Sequence, residues 1–292
     1  MAETRARLPF SLPEVDYERY SNRQLVAVPL AVLGLALAVI TAFYMLSGSP
    51  VGLGIAFTGG TELQVLTSDS PAEIRSTFPA EISSIQPISS QADTYIVTFQ
   101  STNTGALEQQ ARGAGYVIES VQGRSASFGA GSQTQALTGI GVAFLGMSLL
   151  VFLLFRSFVP SVAVVASAFS DIVIPVALMN LFGIKLSLGT VAALLMLIGY
   201  SVDSDLLLNN HVLRRRGGFY ESTYKAMRTG VTMTLTSITA MSVMTLTAFL
   251  LGIPLLPSIG VVLVFGLIAD LMNTYMLNVT LLRYYKFEAI GR

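Results

Sequence analysis

Long apolar runs alternate along this chain with one polar block. Six segments, 25–46, 134–155, 159–182, 186–208, 229–251 and 255–282, are apolar for more than 20 residues each. A bilayer core of about 30 Å needs about 20 apolar residues in helical form, so each run predicts a membrane-spanning helix. The first is preceded by a polar stretch carrying Glu14, Asp16 and Glu18. A signal peptide has a short basic start and a small-residue cleavage site instead, so this run reads as a retained anchor.

Residues 47–133 break the apolar pattern. Thr61–Thr67 reads as a strand, and Ser70-Pro71-Ala72-Glu73 as a helix start with an N-cap, a Pro in the first turn and an early acid. Ile82–Ser89 and Thr94–Gln100 are β-rich, with Tyr95, Val97 and Phe99 on one face and Ile96 and Thr98 on the other. Asn103–Gly113 is helical and ends on Gly, and Tyr116–Gln122 alternates again. The order β-α-β-β-α-β predicts a ferredoxin-like α+β domain. Ser47-Gly48-Ser49-Pro50 and Gly129-Ala130-Gly131-Ser132 flank it and read as flexible joints. The expected division is a segment 1–24, a first span 25–46, the polar domain 47–133, a five-helix bundle 134–282 and a tail 283–292.

Composition sharpens the class. Only 12% of the 292 residues are charged against 52% hydrophobic, too little charge to coat a soluble globule. Seventeen basic and 17 acidic residues leave no excess to neutralise phosphates, which argues against nucleic-acid binding. The absence of Cys excludes disulfides and thiolate chemistry, and one His, His211, makes a histidine zinc site implausible. No catalytic residue, metal ligand set or cofactor motif is expected. His211 reads as a solvated residue at the membrane edge.

Basic residues orient the spans. With the N-terminus in the cytoplasm, 13 of 17 fall on the cytoplasmic side, led by Arg214-Arg215-Arg216, and six crossings return the C-terminus there. The polar domain, with seven acids and three Arg, is then extracytoplasmic.

Four acids fall inside predicted spans: Asp171, Asp203, Asp205 and Asp270. A carboxyl at a helix centre costs about 2.5–3.5 kcal/mol on insertion scales, so it marks a proton relay or ion path, or a structural hydrogen bond between helices. Asp203 and Asp205 are separated by about 200° of helix rotation. Asp203 shares a face with Tyr200, Leu207 and Asn210, whereas Asp205 shares one with Ser201, Leu208 and Asn209. Asp203 lies about 3 Å deeper in the span, which makes it the stronger relay candidate and leaves Asp205 nearer interfacial water. The hydroxyl-rich fifth span, with Thr232, Thr234, Thr236 and Thr239 among others, suits helix packing better than a wet path.

Phe57-Thr58-Gly59-Gly60-Thr61 follows the first span, and 181–205 ends in Gly199-Tyr200-Ser201-Val202-Asp203-Ser204-Asp205. With Ser170-Asp171-Ile172, Thr232–Ser237 and Ala269–Tyr275, these stretches resemble the SecD/SecF family of Sec translocon accessory subunits, in its archaeal branch and on its SecF side. The resemblance covers nearly the whole chain. It implies one half of a transporter of the resistance-nodulation-division type in the cell membrane. The implied partners are a SecD-like subunit, a SecY-type channel, exported unfolded polypeptide and membrane lipid, with the proton-motive force as the energy source. The resemblance departs from bacterial members at Ala56 and Ser170, where they carry Asp and His. It departs again at Asp203-Ser204, which align with an Asn-Asp pair, and near Thr232, where they carry Arg. Competing readings are a lipid or drug half-transporter, an uncoupled scaffold for the SecD-like subunit, and an intramembrane aspartyl protease. The last lacks a Gly-x-Gly-Asp motif.

Overall fold

In the computed structural model, which describes residues 17, 19–78, 80–88, 93–214, 218–251, 253 and 255–289, helix α1 (Asn22–Ser47) opens on a capping box. The Ser21 hydroxyl accepts from the Gln24 amide while the Gln24 side chain reaches back to the Ser21 backbone. It closes on Gly48 at φ 76°, a left-handed cap that suits Gly. Five further long helices follow the polar domain: α5 (Ala126–Phe155), α6 (Phe158–Leu181), α7 (Leu188–Arg214), α8 (Phe219–Leu250) and α9 (Leu256–Met272). The last continues through a π-helical turn (Asn273–Asn278) into α10 (Val279–Tyr284). Among the described residues these supply six helices long and apolar enough to cross a membrane.

Helices α6, α7 and α9 form the bundle centre, and α1, α5 and α8 flank it. Near the domain, Met179, Leu194, Leu197, Val262 and Leu263 make the core. At the opposite end Tyr17, Leu208, Val212, Phe219, Met227 and Leu282 pack together. There the Tyr17 hydroxyl donates to the Tyr275 carbonyl at 2.9 Å, and Arg283 donates to the carbonyls of Tyr17 and Tyr20. The incoming chain is thereby strapped across the bundle end.

The polar block folds as α2 (Ile55–Thr58), β1 (Gly60–Leu66), α3 (Pro71–Thr77), β2 (Ile82–Pro87), β3 (Thr94–Phe99), α4 (Thr104–Gly113) and β4 (Val117–Arg124). The four strands form an antiparallel sheet in the order β2-β3-β1-β4. Leu63, Val65, Val97 and Phe99 point to one face and bury Ile74 of α3 and Leu107 and Ala111 of α4. Ser70 caps α3, and its hydrogen bonds hold the exposed Glu73 carboxyl below the usual glutamate range. The opposite sheet face, with Glu62, Thr98 and Gln122 side by side across the ladders, looks toward the bundle.

The structure departs from the sequence expectation at several joints. Helix α5 begins at Ala126, so Gly129-Ala130-Gly131-Ser132 is helical rather than a flexible joint. Its 30 residues span about 45 Å, longer than the membrane core, and carry β4 straight into the bundle. The Ser47–Pro50 segment is likewise fastened. The Asn180 amide donates to the Pro50 carbonyl at 2.9 Å and its oxygen accepts from the Gly52 amide. Helix α8 begins at Phe219, ten residues before the expected span, and its polar start carries the exposed Glu221–Lys225 pair. His211 is buried, not solvated, with Nδ1 2.8 Å from the Leu207 carbonyl. Glu14, Asp16, Glu18, Ser89, Arg215 and Arg216, which the sequence reading used, lie outside the described residues.

Candidate functional site

Three of the four intramembrane acids meet at the bundle centre. Asp171 of α6, Asp205 of α7 and Asp270 of α9 are each at most 2% exposed. Asp171 accepts from Ser201 Oγ and Asn273 Nδ2, both at 2.6 Å. Asp205 Oδ1 accepts from Thr274 Oγ1 at 2.9 Å and Asn278 Nδ2 at 2.7 Å. Ser204 Oγ lies 2.8 Å from both oxygens of Asp270, and Thr274 Oγ1 lies 3.2 Å from Asp270 Oδ1. Every hydrogen bond described to these carboxyls comes from an uncharged side chain. Asp205 Oδ2 and Ser170 Oγ are buried with no hydrogen-bond partner among the described residues.

Two local features build the cluster. On α7, Ser201, Ser204, Asp205, Leu208 and Asn209 form one buried stripe at helical spacing. On the last span the π turn supplies Asn273, Thr274 and Asn278, all buried. In a regular α-helix five residues turn through about 500°, leaving Asn273 and Asn278 about 140° apart. Hydrogen bonds from i to i+5 close most of that gap, so one helix presents both amides to α6 and α7. Ser204, Asn273, Thr274 and Asn278 were not picked out as site residues from sequence. Asn273, Thr274 and Asn278, polar residues inside an apolar span, are the signal that marks the last-span members.

Asp203 does not join the cluster. It is exposed on the other side of α7, in line with Ala192, Met196, Gly199 and Asn210. Depth along the span therefore does not decide burial here. The helix face does, and it makes Asp205 the desolvated carboxyl of the pair. Tyr200, expected beside Asp203, is partly buried and packs against the apolar core near the domain. The fifth-span hydroxyls of Thr232, Thr236, Thr239 and Thr245 bond carbonyls four residues back in α8 itself. Their hydrogen bonds are spent within α8, while the Thr245 side chain packs closely on α9, where a Cβ on Gly260 would stand 1.9 Å from its hydroxyl.

Phe57-Thr58-Gly59-Gly60-Thr61 lies about the junction of domain and bundle. Phe57 is buried at the end of α2, which packs on α5. A Cβ on Gly59 would stand 2.8 Å from the backbone of Ala126, and one on Gly129 would stand 2.7 Å from the Phe57 carbonyl. Gly60 sits at φ 121°, with its absent Cβ 2.3 Å from the Phe99 carbonyl. Thr61 Oγ1 donates to the Ser101 carbonyl at 2.8 Å. The motif is a close backbone contact between the first turn of α5 and the start of β1, and glycine alone fits it.

Six spans with an α/β domain between the first and second, and acids gathered among the central helices, define a multi-pass membrane protein. The family model described as protein export membrane protein SecD/SecF, C-terminal, matches residues 107–288. A relative named protein-export membrane protein SecF from Haloferax volcanii is 65% identical over 97% of this chain and 99% of its own length. One of the same name from Haloquadratum walsbyi is 64% identical over 97% of this chain and 99% of its own. The chain belongs to the SecD/SecF family. Its fold matches the crystal structure of SecDF, a translocon-associated membrane protein from Thermus thermophilus. The TM-score is 0.70 at 20% identity, covering 91% of this chain. This chain spans 38% of the SecDF chain.

Proposed function

We propose that this protein is an accessory subunit of Sec protein export, acting with a SecD-like six-span partner beside a SecY-type channel. Relatives of nearly full length named for protein export support the class. The observation that carries the partnership is the bare face of α7. Much of this central helix is buried, yet Ala192, Met196, Gly199, Asp203 and Asn210 line up uncovered within a membrane span. Small residues let a second helix approach closely, and an intramembrane carboxylate costs about 2.5–3.5 kcal/mol unless something covers it. A second half seated on this stripe meets both demands.

The same reading makes the Asp171–Asp205–Asp270 cluster the point where the proton-motive force acts. A hydroxyl carries one proton. Thr274 Oγ1 faces carboxylate oxygens of both Asp205 and Asp270, so both contacts are hydrogen bonds only when one carboxyl is itself a donor. A cluster that needs a proton to satisfy its own geometry is suited to taking up and releasing one. The 13-to-4 split of basic residues supports an orientation with both termini in the cytoplasm and the α/β domain outside.

Isolation of the tagged chain from native membranes tests the class. A second six-span subunit and channel subunits should come with it, and Cys introduced at Asp93 but not at Lys225 should react with an impermeant thiol reagent from outside. Isolation of the chain alone at full abundance, or the reverse labelling, contradicts the reading.

A further inference from the structure

A cavity of about 280 Å³ opens at the bundle end that carries the Tyr17 strap, away from both the carboxyl cluster and the α/β domain. Asn22 at the start of α1, Tyr220 at the start of α8, and Arg283 and Phe287 at the end of the last span line it. Arg283 is the one charged group among the described lining residues. Its Nη1 donates to the carbonyls of Tyr17 and Tyr20, at 2.9 and 3.0 Å. The N–H groups on Nε and Nη2 make no hydrogen bond among the described residues, and no ion pair there includes Arg283. The guanidinium lies 5.8 Å from the centre of the Tyr220 ring, whose face offsets part of a positive charge and replaces no anion.

A guanidinium stays charged at every working pH, and its Nε and Nη2 edge matches two oxygens of a phosphate or carboxylate. The position in the membrane selects the phosphate. The cavity lies at the ends of three helices that are long and apolar enough to cross a bilayer. Tyr20, Tyr284 and Phe287 are exposed at this end, and aromatic rings so placed sit at headgroup level. Arg23 on α1 and Arg228 on α8 are exposed on the same flanking helices and add to the attraction for anionic lipid. Further along α1 the exposed side chains include Val28, Leu30 and Leu35, an apolar surface suited to acyl chains. Basic pockets between membrane helices are a recurrent way to hold an anionic headgroup.

We propose that this cavity binds the phosphate of an anionic membrane lipid, with Arg283 as the fork that holds it and Tyr220 and Phe287 as its walls. The lipid thus shares its anchor with the Tyr17–Tyr20 strap. The tagged chain, with whatever co-isolates, is stripped of lipid in detergent and titrated with phosphatidylglycerol, and native mass spectrometry counts the bound lipid. Phosphatidylglycerol should bind at least tenfold tighter than phosphatidylcholine with the same acyl chains, and excess inorganic phosphate should not displace it. Arg283→Gln and Phe287→Glu should each weaken that site at least tenfold, and Arg75→Gln on α3 should not. Arg283→Gln also loosens the strap. Phe287→Glu alters an exposed position, leaves the strap bonds in place and sets a carboxylate beside the fork. Equal binding by the parent chain and Phe287→Glu overturns the proposal, as does equal affinity for phosphatidylcholine. Displacement by inorganic phosphate assigns the fork to a soluble anion and overturns the lipid. Loss of a co-isolated subunit from Phe287→Glu with lipid binding unchanged assigns the fork to a carboxylate of that subunit and overturns it equally. The titration reads the same whether or not a partner comes with the chain, so its failure leaves the export reading standing.

Discussion

Thr274 Oγ1 lies 2.9 Å from Asp205 Oδ1, joining the π turn of the last span to the fourth. The same hydroxyl is 3.2 Å from Asp270 Oδ1, so one side chain connects two carboxyls on different helices. Thr274→Val keeps the shape and removes the link. With buried acceptors left short of a donor, the variant should lose about 1–3 kcal/mol of stability. A thermal melt of the purified complex checks this. An unchanged melt would mean that Thr274 is packing only.

Asp203 and Asp205 stand two residues apart and face opposite ways. Asp203→Lys should leave the α6–α7–α9 core intact, because the side chain touches none of it, yet repel or misplace whatever covers the bare stripe of α7. The expected result is a several-fold drop in co-isolated partner. Asp205→Lys should instead deplete the chain, since it places an unpaired cation in a site that is fully buried. Equal partner recovery for Asp203→Lys and the parent chain would remove the stripe from the interface.

At the domain joint, Gly60→Ala should cost at least about 1–3 kcal/mol from backbone strain alone, with the clash on the Phe99 carbonyl added. Gly131→Ala, two residues beyond the contact with α2 and with nothing within 4 Å of the new methyl, should be neutral or slightly stabilising. Protease sensitivity of the domain in intact membranes separates the two.

Glu62 gives a pH signature. Burial raises its carboxyl above the ordinary value of 4.5, with Lys185 opposing. A raised carboxyl favours the protonated folded state, so its ionisation weakens the fold as pH rises from near 4.5 through the raised value and has no further effect above it. Glu62→Gln removes that loss. Its melting temperature should match the parent's in acid and exceed it at neutral pH. A variant less stable than the parent at neutral pH would show that the attraction to Lys185 outweighs burial.

Much of this architecture is legible in the sequence, and the reasons it stops are physical. Span length and the alternation around Leu63, Val97 and Phe99 are set by local periodicity, so six helices and the β-α-β-β-α-β order follow from it. Helical spacing also separates Asp203 from Asp205. It does not say which of the two faces turns inward, because that depends on the α6 and α9 surfaces packed against them. The π turn is equally hidden, since it places Asn273 and Asn278 together only by departing from the α-helical period. Helix α5 runs into the domain because Gly129 admits the carbonyl of Phe57, a contact between residues 72 positions apart that composition reads as a flexible joint.

The coupling role proposed for the buried cluster is tested most directly by Asp205→Asn. Asn keeps the size and still accepts from Thr274 and Asn278, but it has no proton to release. Inverted membrane vesicles carrying the variant complex should import a secretory precursor at the parent rate without a proton gradient and gain nothing when the gradient is imposed. Partner recovery should be normal throughout. Full stimulation by the gradient in Asp205→Asn would contradict the account and leave the cluster as a structural hydrogen-bond network.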